Sequence, residues 1–307
     1  MASPFGPLVL LVDRRAGRGI AAAEVPEIER TLLSKGLDHR VAQSSEAGEL
    51  TGLAAAALRA GERFLVAVGD DRTVAAVVGG MIEDDRPVAE DAVLGVVAAG
   101  SGCDFVRTFG LPGDATRATT LLAGDKVVQI DVAKAECSRS SGERAVTYYP
   151  GVAQVGMGAA MVARAERFPR ALGRGRSFLG FWSALARFRP AELRIRTGST
   201  GFDGTALTAV VANCQYHGDG RRVSPRSWPG DGLLDVLVMK GPKSDAFTRL
   251  PAMFQGDWLP DPNVVELKGR TVDVDADRPL PIEADGIVLG TTPATFGVIR
   301  LALRLKV

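Results

Sequence analysis

"VAVGDDRTVAAVVGG", residues 66–80, decides how the first part of the chain is read. The apolar start has the makeup of a buried strand, Gly69-Asp70-Asp71-Arg72-Thr73 interrupts it, and a run of small residues follows. Upstream, "PLVLLVD" (7–13) reads as a strand followed by a glycine turn at Ala16 to Gly19 and a helical pattern over 21–35, with Val25, Ile28, Leu32 and Leu33 at helical spacing. "HRVAQS" (39–44) is a second strand, 47–60 a helix, and "RFLVAVG" (63–69) a third strand ending at the opening motif. "VLGVVAAG" (93–100) is a fourth strand, and it runs into another glycine turn, "GSGCDF". Strand and helix in alternation predict a doubly wound parallel sheet with helices on both faces. Ligands of such sheets sit beyond the carboxyl ends of the strands, where loops and helix N-termini offer free N–H groups. The turns at 16–19, 69–73 and 100–104 are therefore expected to converge on one crevice.

After about Gly124 the texture changes. Runs such as "KVVQIDVAKAE", "RAVTYYPGVAQV", "AELRIRTG", "TALTAVVANC", "LLDVLVMKG", "VVELKGRTVDVDAD" and "VIRLALRLKV" are separated by Gly, Pro and Asp clusters, as in an antiparallel β domain. Helical patterns interrupt it near 159–168, 177–188 and 244–254.

Composition narrows the function classes. The 307 residues are 46% hydrophobic and 24% charged, the makeup of a globular protein of one large or two ordinary domains. Lys plus Arg number 37 against 36 Asp plus Glu, a net charge of +1 that lacks the basic bias of a nucleic-acid binder. The three cysteines, Cys103, Cys137 and Cys214, are far apart and odd in number, which argues against a disulfide framework or a CxxC metal site and fits a reducing cytoplasm. In "MASPFGPLVLLVDRR" the apolar run precedes the arginines, the reverse of a signal peptide, and it is too short to span a bilayer. The two histidines, His39 and His217, have no obvious partners and read as ordinary surface or structural residues.

Each glycine turn is a weak signal alone. "GRGIAA" (17–22) fits G-x-G-x-x-A after a strand, which keeps a dinucleotide-binding unit open, although "AQSSE" at the second strand places no acid to hold a ribose. No GxxxxGK[ST] loop and no G-x-S-x-G elbow is present.

Taken in order, "GSGCDFVRTFGLP" (100–112), "GDGLLDVLVM" (230–239) and "IEADGIVLG" (282–290) carry a more specific signal. The chain resembles the diacylglycerol kinase catalytic family, the bacterial lipid kinases and their sphingosine kinase relatives. Gly100, Ser101, Gly102, Asp104, Phe105 and Arg107 match the GTGNDFAR stretch. Asp231, Gly232 and Asp235 match DGLLDV, "ADGI" takes the place of DGE, and "GDDRT" that of GGDGT. The resemblance implies an N-terminal α/β domain over 1–124, completed by strands at about 297–307, and a C-terminal β-sandwich domain for the lipid substrate over 125–296, with ATP bound in the crevice.

It further implies phosphoryl transfer from ATP to a lipid hydroxyl, with Mg2+ as the cation. Ser101 and Gly102, with the following helix N-terminus, would contact nucleotide, together with Gly17, Gly69, Arg72, Thr73, Gly100 and Asp104. Asp71 would serve the metal or phosphates, and Asp285 would be the base facing the lipid hydroxyl. Asp231 and Asp235 would hold a structural magnesium. Against these roles stand plainer readings: "DGLLDV" as an Asp-Gly turn entering a strand, and Asp285 in an Asp-Gly hairpin.

Several departures fall on these motifs. The NPxSG loop becomes Asp13, Arg14, Arg15, Ala16 and Gly17; two glycines of GGDGT become Asp70 and Arg72; Cys103 replaces asparagine and Ile287 the glutamate of DGE. A side chain in left-handed backbone costs about 1–2 kcal/mol, and a carboxylate about 4 Å from a phosphate on the order of 1–4 kcal/mol. Both terms would weaken ATP binding, with Arg72 offsetting part by pairing with Asp70 or the phosphates. Two readings follow: a divergent ATP-dependent lipid kinase, or a kinase-like protein that binds lipid or nucleotide without efficient transfer.

Between 164 and 196 the chain has nine arginines and two acids, Glu166 and Glu192, interleaved with Phe168, Phe178, Phe181, Trp182 and Phe188. An amphipathic helix around "RSFLGFWSALARF" suits an anionic membrane surface, as at the inner face of a membrane; the alternative is a core-facing aromatic stripe with a solvated basic back. The partners implied are a lipid substrate and that surface, with no nucleic acid. No motif sets the oligomeric state, homodimer included.

Overall fold

The apolar runs of the first hundred residues form strands β1 (Leu8–Asp13), β2 (His39–Ser44), β3 (Phe64–Gly69) and β6 (Val93–Ala98), with helices α1 (Ile20–Ser34), α2 (Ala47–Arg59) and α3 (Asp71–Met81) between them. A small hairpin of β4 (Ile82–Glu83) and β5 (Arg86–Pro87) follows α3, and two short helices, α4 (Asp104–Thr108) and α5 (Ala115–Leu121), follow β6. The computed structural model describes residues 3–44, 47–100, 102–139, 141–169, 172–173, 175–198 and 200–307. Every residue of β1, β3 and β6 is buried, as expected of parallel strands covered on both faces. Alternate residues Leu8, Leu10 and Val12, Phe64, Val66 and Val68, and Val93 and Val97 share one core with Val25, Ile28 and Leu32 of α1.

These strands pair in parallel in the order β6-β3-β1-β2. The order reverses between β1 and β3, because the chain moves outward from β1 to β2 and returns past β1 to β3. That reversal opens a gap beyond the carboxyl ends of the strands, where α/β sheets bind ligands.

The remaining strands are β7 (Val127–Ser138), β8 (Arg144–Tyr149), β9 (Val152–Gly156), β10 (Ala191–Thr197), β11 (Thr200–Ala206), β12 (Thr208–Ala212), β13 (Leu234–Met239), β14 (Val264–Gly269), β15 (Thr271–Ala276), β16 (Pro281–Ala284) and β17 (Ile287–Lys306). Helices α6 (Met157–Ala165), α7 (Gly175–Arg187), α8 (Asp245–Thr248) and α9 (Leu250–Gln255) interrupt them. The order β14-β13-β12-β9-β16-β17 is antiparallel throughout, and β10 pairs with β11 and with β15. Inward residues such as Val155, Val211, Val236, Val274, Ile282 and Phe296 make a second core. The expected helix near 244–254 is two short ones, α8 and α9, that break at Arg249 just before Leu250 and Pro251.

The chain divides into two units, Met1–Val132 with Pro229–Asp231 and Ile299–Val307, and Ala133–Trp228 with Gly232–Val298. The first unit thus extends past the expected 124 and also takes in 229–231. Strand β17 contributes to both: its early residues pair with β15 and β16, and Arg304 and Leu305 pair in parallel with Val93 and Leu94 of β6.

Helix α7 buries only Gly180 and Ala184, its small residues, so it lies close to α6: a Cβ on Gly180 would stand 2.6 Å from the carbonyl oxygen of Met161. Of its three aromatics, Phe181 is half-buried and the other two point outward. Phe178 is 63% and Trp182 47% exposed. No helix among the described residues is long and apolar enough to cross a membrane.

Inside the first unit, Leu301 of β17 has left-handed backbone (φ 47), and its N–H donates to the fully buried carboxylate of Asp131 at 2.7 Å. Asp131→Ala leaves that N–H without its acceptor, and the expected loss is about 1–3 kcal/mol. Denaturant unfolding measures it, with Asp131→Asn retaining most of the stability.

Candidate functional site

The turns after β1, β3 and β6 meet within the first unit. Gly100 has φ +102, and a Cβ there would lie 2.6 Å from the Cα of Gly17, so the first and third turns touch backbone to backbone. The N–H of Ala99 donates to the carbonyl of Gly69 at 3.0 Å, which ties the third turn to the second. Asp71 completes the connection. Its Oδ2 accepts from the N–H of Asp104 (3.0 Å), and its Oδ1 from the N–H of Phe105 (2.9 Å) and the thiol of Cys103 (3.4 Å). One carboxylate at the start of α3 thus holds the start of α4. Cys103 supplies a donor where the family motif has asparagine, and burial, with the charge of Asp71, pushes its thiol well up so that it stays protonated.

Burial also pushes the Asp71 carboxyl up to about 6 from its ordinary 3.8, reinforced by the charge of Asp104 and opposed by the donors at 103–105. Asp104 is itself buried, with Arg107 Nε 3.3 Å from its carboxylate. Asp71, expected to serve the metal or phosphates, spends both oxygens on the 103–105 turn.

The glycine-to-acid change at Asp70 carries no left-handed strain, contrary to the sequence-based expectation. Asp70 is extended (φ −99, ψ −172), and its Oδ1 accepts from the N–H and the hydroxyl of Thr73, both at 3.2 Å. Such an N-cap contributes about 0.5–2 kcal/mol relative to alanine. Arg72 lies inside the first turn of α3, so it escapes the penalty too. Thr73 is fully buried, and its side chain occupies the space that a Cβ on Gly69 would need. Gly17, Gly69, Gly100, Thr73 and Asp104 therefore lie in the packed inner part of the three turns.

What faces outward is different. Gly102 is exposed and has no atom within 4 Å of an added Cβ, and Arg14, Arg15 and Arg18 stand exposed on the turn after β1. Arg18 has left-handed backbone (φ 62) beside Gly17 (φ 58). With the half-buried Arg72 they put a cationic rim at the point where the strand order reverses. The replacement of NPxSG by Asp13-Arg14-Arg15 was its signal in the sequence. Ser101 lies outside the described residues.

In the second unit, Asp285 and Gly286 form the two-residue turn of the β16–β17 hairpin, with Ala284 opposite Ile287 and φ of 46 and 78. The hairpin reading of this Asp-Gly pair is thus the correct backbone description. Its carboxylate is nevertheless buried, accepting from the N–H of Gly151 (3.0 Å) and of Val152 (2.8 Å). Gly151 is required there, since a Cβ would lie 2.1 Å from Asp285 Oδ1.

Two residues from Asp285, Glu283 is fully buried. Its Oε1 accepts from Gln154 Nε2 (2.9 Å) and lies 2.9 Å from His217 Nε2, while its Oε2 accepts from the N–H of Gly286 (2.9 Å). Burial alone would lower the pKa of His217, but the charge and hydrogen bond of Glu283 outweigh it and push it up to about 9 from 6.5, with Arg221 opposing and Asp285 reinforcing. The hydroxyl of Tyr149 is buried without a hydrogen-bond partner among the described residues, and burial with the charges of Asp285 and Glu283 raises its pKa. His217 is therefore a buried ion-pair partner. An acid inside the apolar strand "PIEA" was the only hint of it.

The expected magnesium ligands are assigned to different units. Asp231 is exposed and belongs to the first unit, and Asp235 belongs to the second, where it faces Lys268 at 3.3 Å across β13 and β14. Among the described residues no three His, Cys, Asp or Glu side chains cluster as a metal site. Asp231 and Asp235 supply the hard carboxylate oxygens that magnesium takes, with carbonyls and water as its usual further ligands.

The chain thus combines a parallel sheet, whose terminal turns interlock at a strand-order reversal, with an antiparallel β unit. Residues 7–135 match the family model of the diacylglycerol kinase catalytic domain, and residues 151–307 that of the YegS C-terminal NAD kinase beta sandwich-like domain. The chain is 26% identical over 304 residues to a diacylglycerol kinase of Mycobacterium tuberculosis (strain ATCC 25618 / H37Rv), covering 98% of this chain and 95% of that one. It is 23% identical over 290 residues to a diacylglycerol kinase of Bacillus subtilis (strain 168), covering 94% and 91%. In fold it is similar to the crystal structure of a diacylglycerol kinase from Bacillus anthracis (TM-score 0.70, 18% identity, 98% and 96% covered) and to yeast NADH kinase complexed with NADH (TM-score 0.50, 12% identity, 97% and 78% covered). The chain belongs to the diacylglycerol kinase and YegS-like family of lipid kinases.

Because the folded pKa of Asp71 is raised, its stabilising contribution is complete below about pH 4 and is lost as pH rises through about 6. Asp71→Asn should flatten that part of the stability profile, by about 1–3 kcal/mol relative to wild type. Asp71→Ala, which leaves two N–H groups without their acceptor, should cost about 2–4 kcal/mol in urea unfolding.

Proposed function

We propose that this chain is an ATP-dependent lipid kinase that phosphorylates the hydroxyl of a diacylglycerol-like acceptor. The observation that carries the reading is the interlocked set of turns with its arginine rim at the strand-order reversal, in a chain of the lipid kinase family. Charge-assisted contacts from Arg14, Arg15, Arg18 and Arg72 suit a triphosphate supplied as its magnesium complex, and they offset the resident carboxylate of Asp70. Asp285, by its match to the family motif, is the proposed base for the acceptor hydroxyl.

A second reading has its own support. The carboxylates of Asp71 and Asp285 are both engaged by backbone N–H groups, as suits a kinase-like protein that binds lipid or nucleotide without efficient transfer. Incubation with labelled ATP, magnesium and vesicles containing diacylglycerol, sphingoid or monoacylglycerol acceptors separates the two. The kinase reading expects label in one acceptor class and a fall of at least a hundredfold in Asp285→Asn with ATP still bound. Lipid binding without label in any acceptor supports the binding protein instead.

We also infer that α7 rests on an anionic membrane surface. Phe178 and Trp182 stack edge-on, Trp182 contacts the 43% exposed Phe247, and Arg164 and Arg187 both reach Ser183 beside them. Exposed aromatics ringed by arginine suit the headgroup layer. The wild-type protein should sediment with phosphatidylglycerol vesicles and not with phosphatidylcholine, and Phe178→Ser with Trp182→Ser should reduce binding at least tenfold. Equal sedimentation with both vesicle types would refute the inference.

A further inference from the structure

We propose that Glu283 and His217 are a positioning pair for Asp285. The proposal rests on the reading of Asp285 as the acceptor-side base, but its first test does not.

The geometry ties the three residues through one short turn. Glu283 holds the N–H of Gly286 with one oxygen, and its other oxygen is held by Gln154 and His217. Asp285 and Gly286 both have left-handed backbone, the conformation that an Asp-Gly pair prefers in a two-residue hairpin turn. Here Glu283 fixes the turn from one side, and the N–H groups of Gly151 and Val152 fix the carboxylate from the other. A shift of Gly286 moves Asp285 off both amides.

Charge gives the pair its second role. Glu283 is fully buried and Asp285 nearly so, and His217 Nε2 stands 2.9 Å from the Glu283 carboxylate. The groups facing His217 are Glu283, Asp285 and Arg221, and Glu283 dominates. A protonated imidazole on Glu283 supplies positive charge beside the turn that carries Asp285. Buried ion pairs seldom add stability over an apolar pair of the same size, and this one lies two residues from the base candidate.

Amide exchange reads the position of Asp285 with no reference to activity. In His217→Gln and in Glu283→Gln, protection at Gly286, Gly151 and Val152 should fall at least tenfold, while Val210 and Val236 in the neighbouring strands stay unchanged. Since the chain has only two histidines, His39→Gln leaves a single ring signal to follow by NMR. That signal should stay protonated through pH 8 and should titrate at least two units lower in Glu283→Gln. In the kinase assay, His217→Gln should lower kcat at least tenfold with KM for ATP within twofold, and should lack the alkaline fall in kcat expected near pH 9.

Unchanged amide protection in both variants, or a wild-type His217 that titrates at or below 6.5, overturns the proposal. So does an active wild type whose kcat and pH profile match those of His217→Gln. A wild type that labels no acceptor instead defeats the kinase reading, and the exchange and titration results then still decide whether the pair positions Asp285.

Discussion

A strand that ends in a tight turn leaves amide hydrogens that no sheet ladder can accept, and burying them unpaired is costly. This chain meets that constraint with carboxylates. Asp13 accepts from Arg15, Asp70 from Thr73, Asp71 from Asp104 and Phe105, Asp131 from Leu301, Glu283 from Gly286, and Asp285 from Gly151 and Val152. Most of these acids lie at the carboxyl end of a strand or in the turn that follows it. The same residue types would be read in isolation as metal ligands or bases, and in several cases their first task is to hold backbone.

This use of acid explains how the family motifs tolerate their departures. The loop at 69–73 loses two glycines without strain because Asp70 is extended and Arg72 is already helical. The turn at 100–105 loses its asparagine, and the thiol of Cys103 keeps a donor on Asp71. Glycine persists where backbone meets backbone or carboxylate, at Gly100 against Gly17 and at Gly151 against Asp285. Where only a ligand would object, as at Asp70, side chains have entered.

The parallel sheet was legible in the sequence because period and length agree there: apolar runs of six residues separated by helices whose apolar positions repeat at 25, 28 and 32. The convergence of the turns was legible too, since it follows from topology. What a given side chain does inside those turns was not. Asp71 and Asp285 look alike as ligand candidates whether their oxygens face a cation or an amide, and the difference depends on contacts more than thirty and more than a hundred residues away. His217 escaped notice for the same reason, because its partner Glu283 is distant in sequence and sits in a strand where local pattern calls for an apolar residue.

The final strand has a consequence for the order of folding. Residues 304 and 305 pair with Val93 and Leu94 beside β3, so the parallel sheet lacks its outer strand until chain from beyond the whole antiparallel unit returns to it. Closing so long a loop through flexible chain is entropically unfavourable, although the cost grows only slowly with length. Strands β7 and β17, which lead out of the first unit and back into it, pair with each other. Once that pairing forms, the intervening residues no longer count as open loop, and the first unit's sheet can be completed by a short final step. The parallel sheet of the first unit is thus completed by chain that follows the antiparallel unit in sequence.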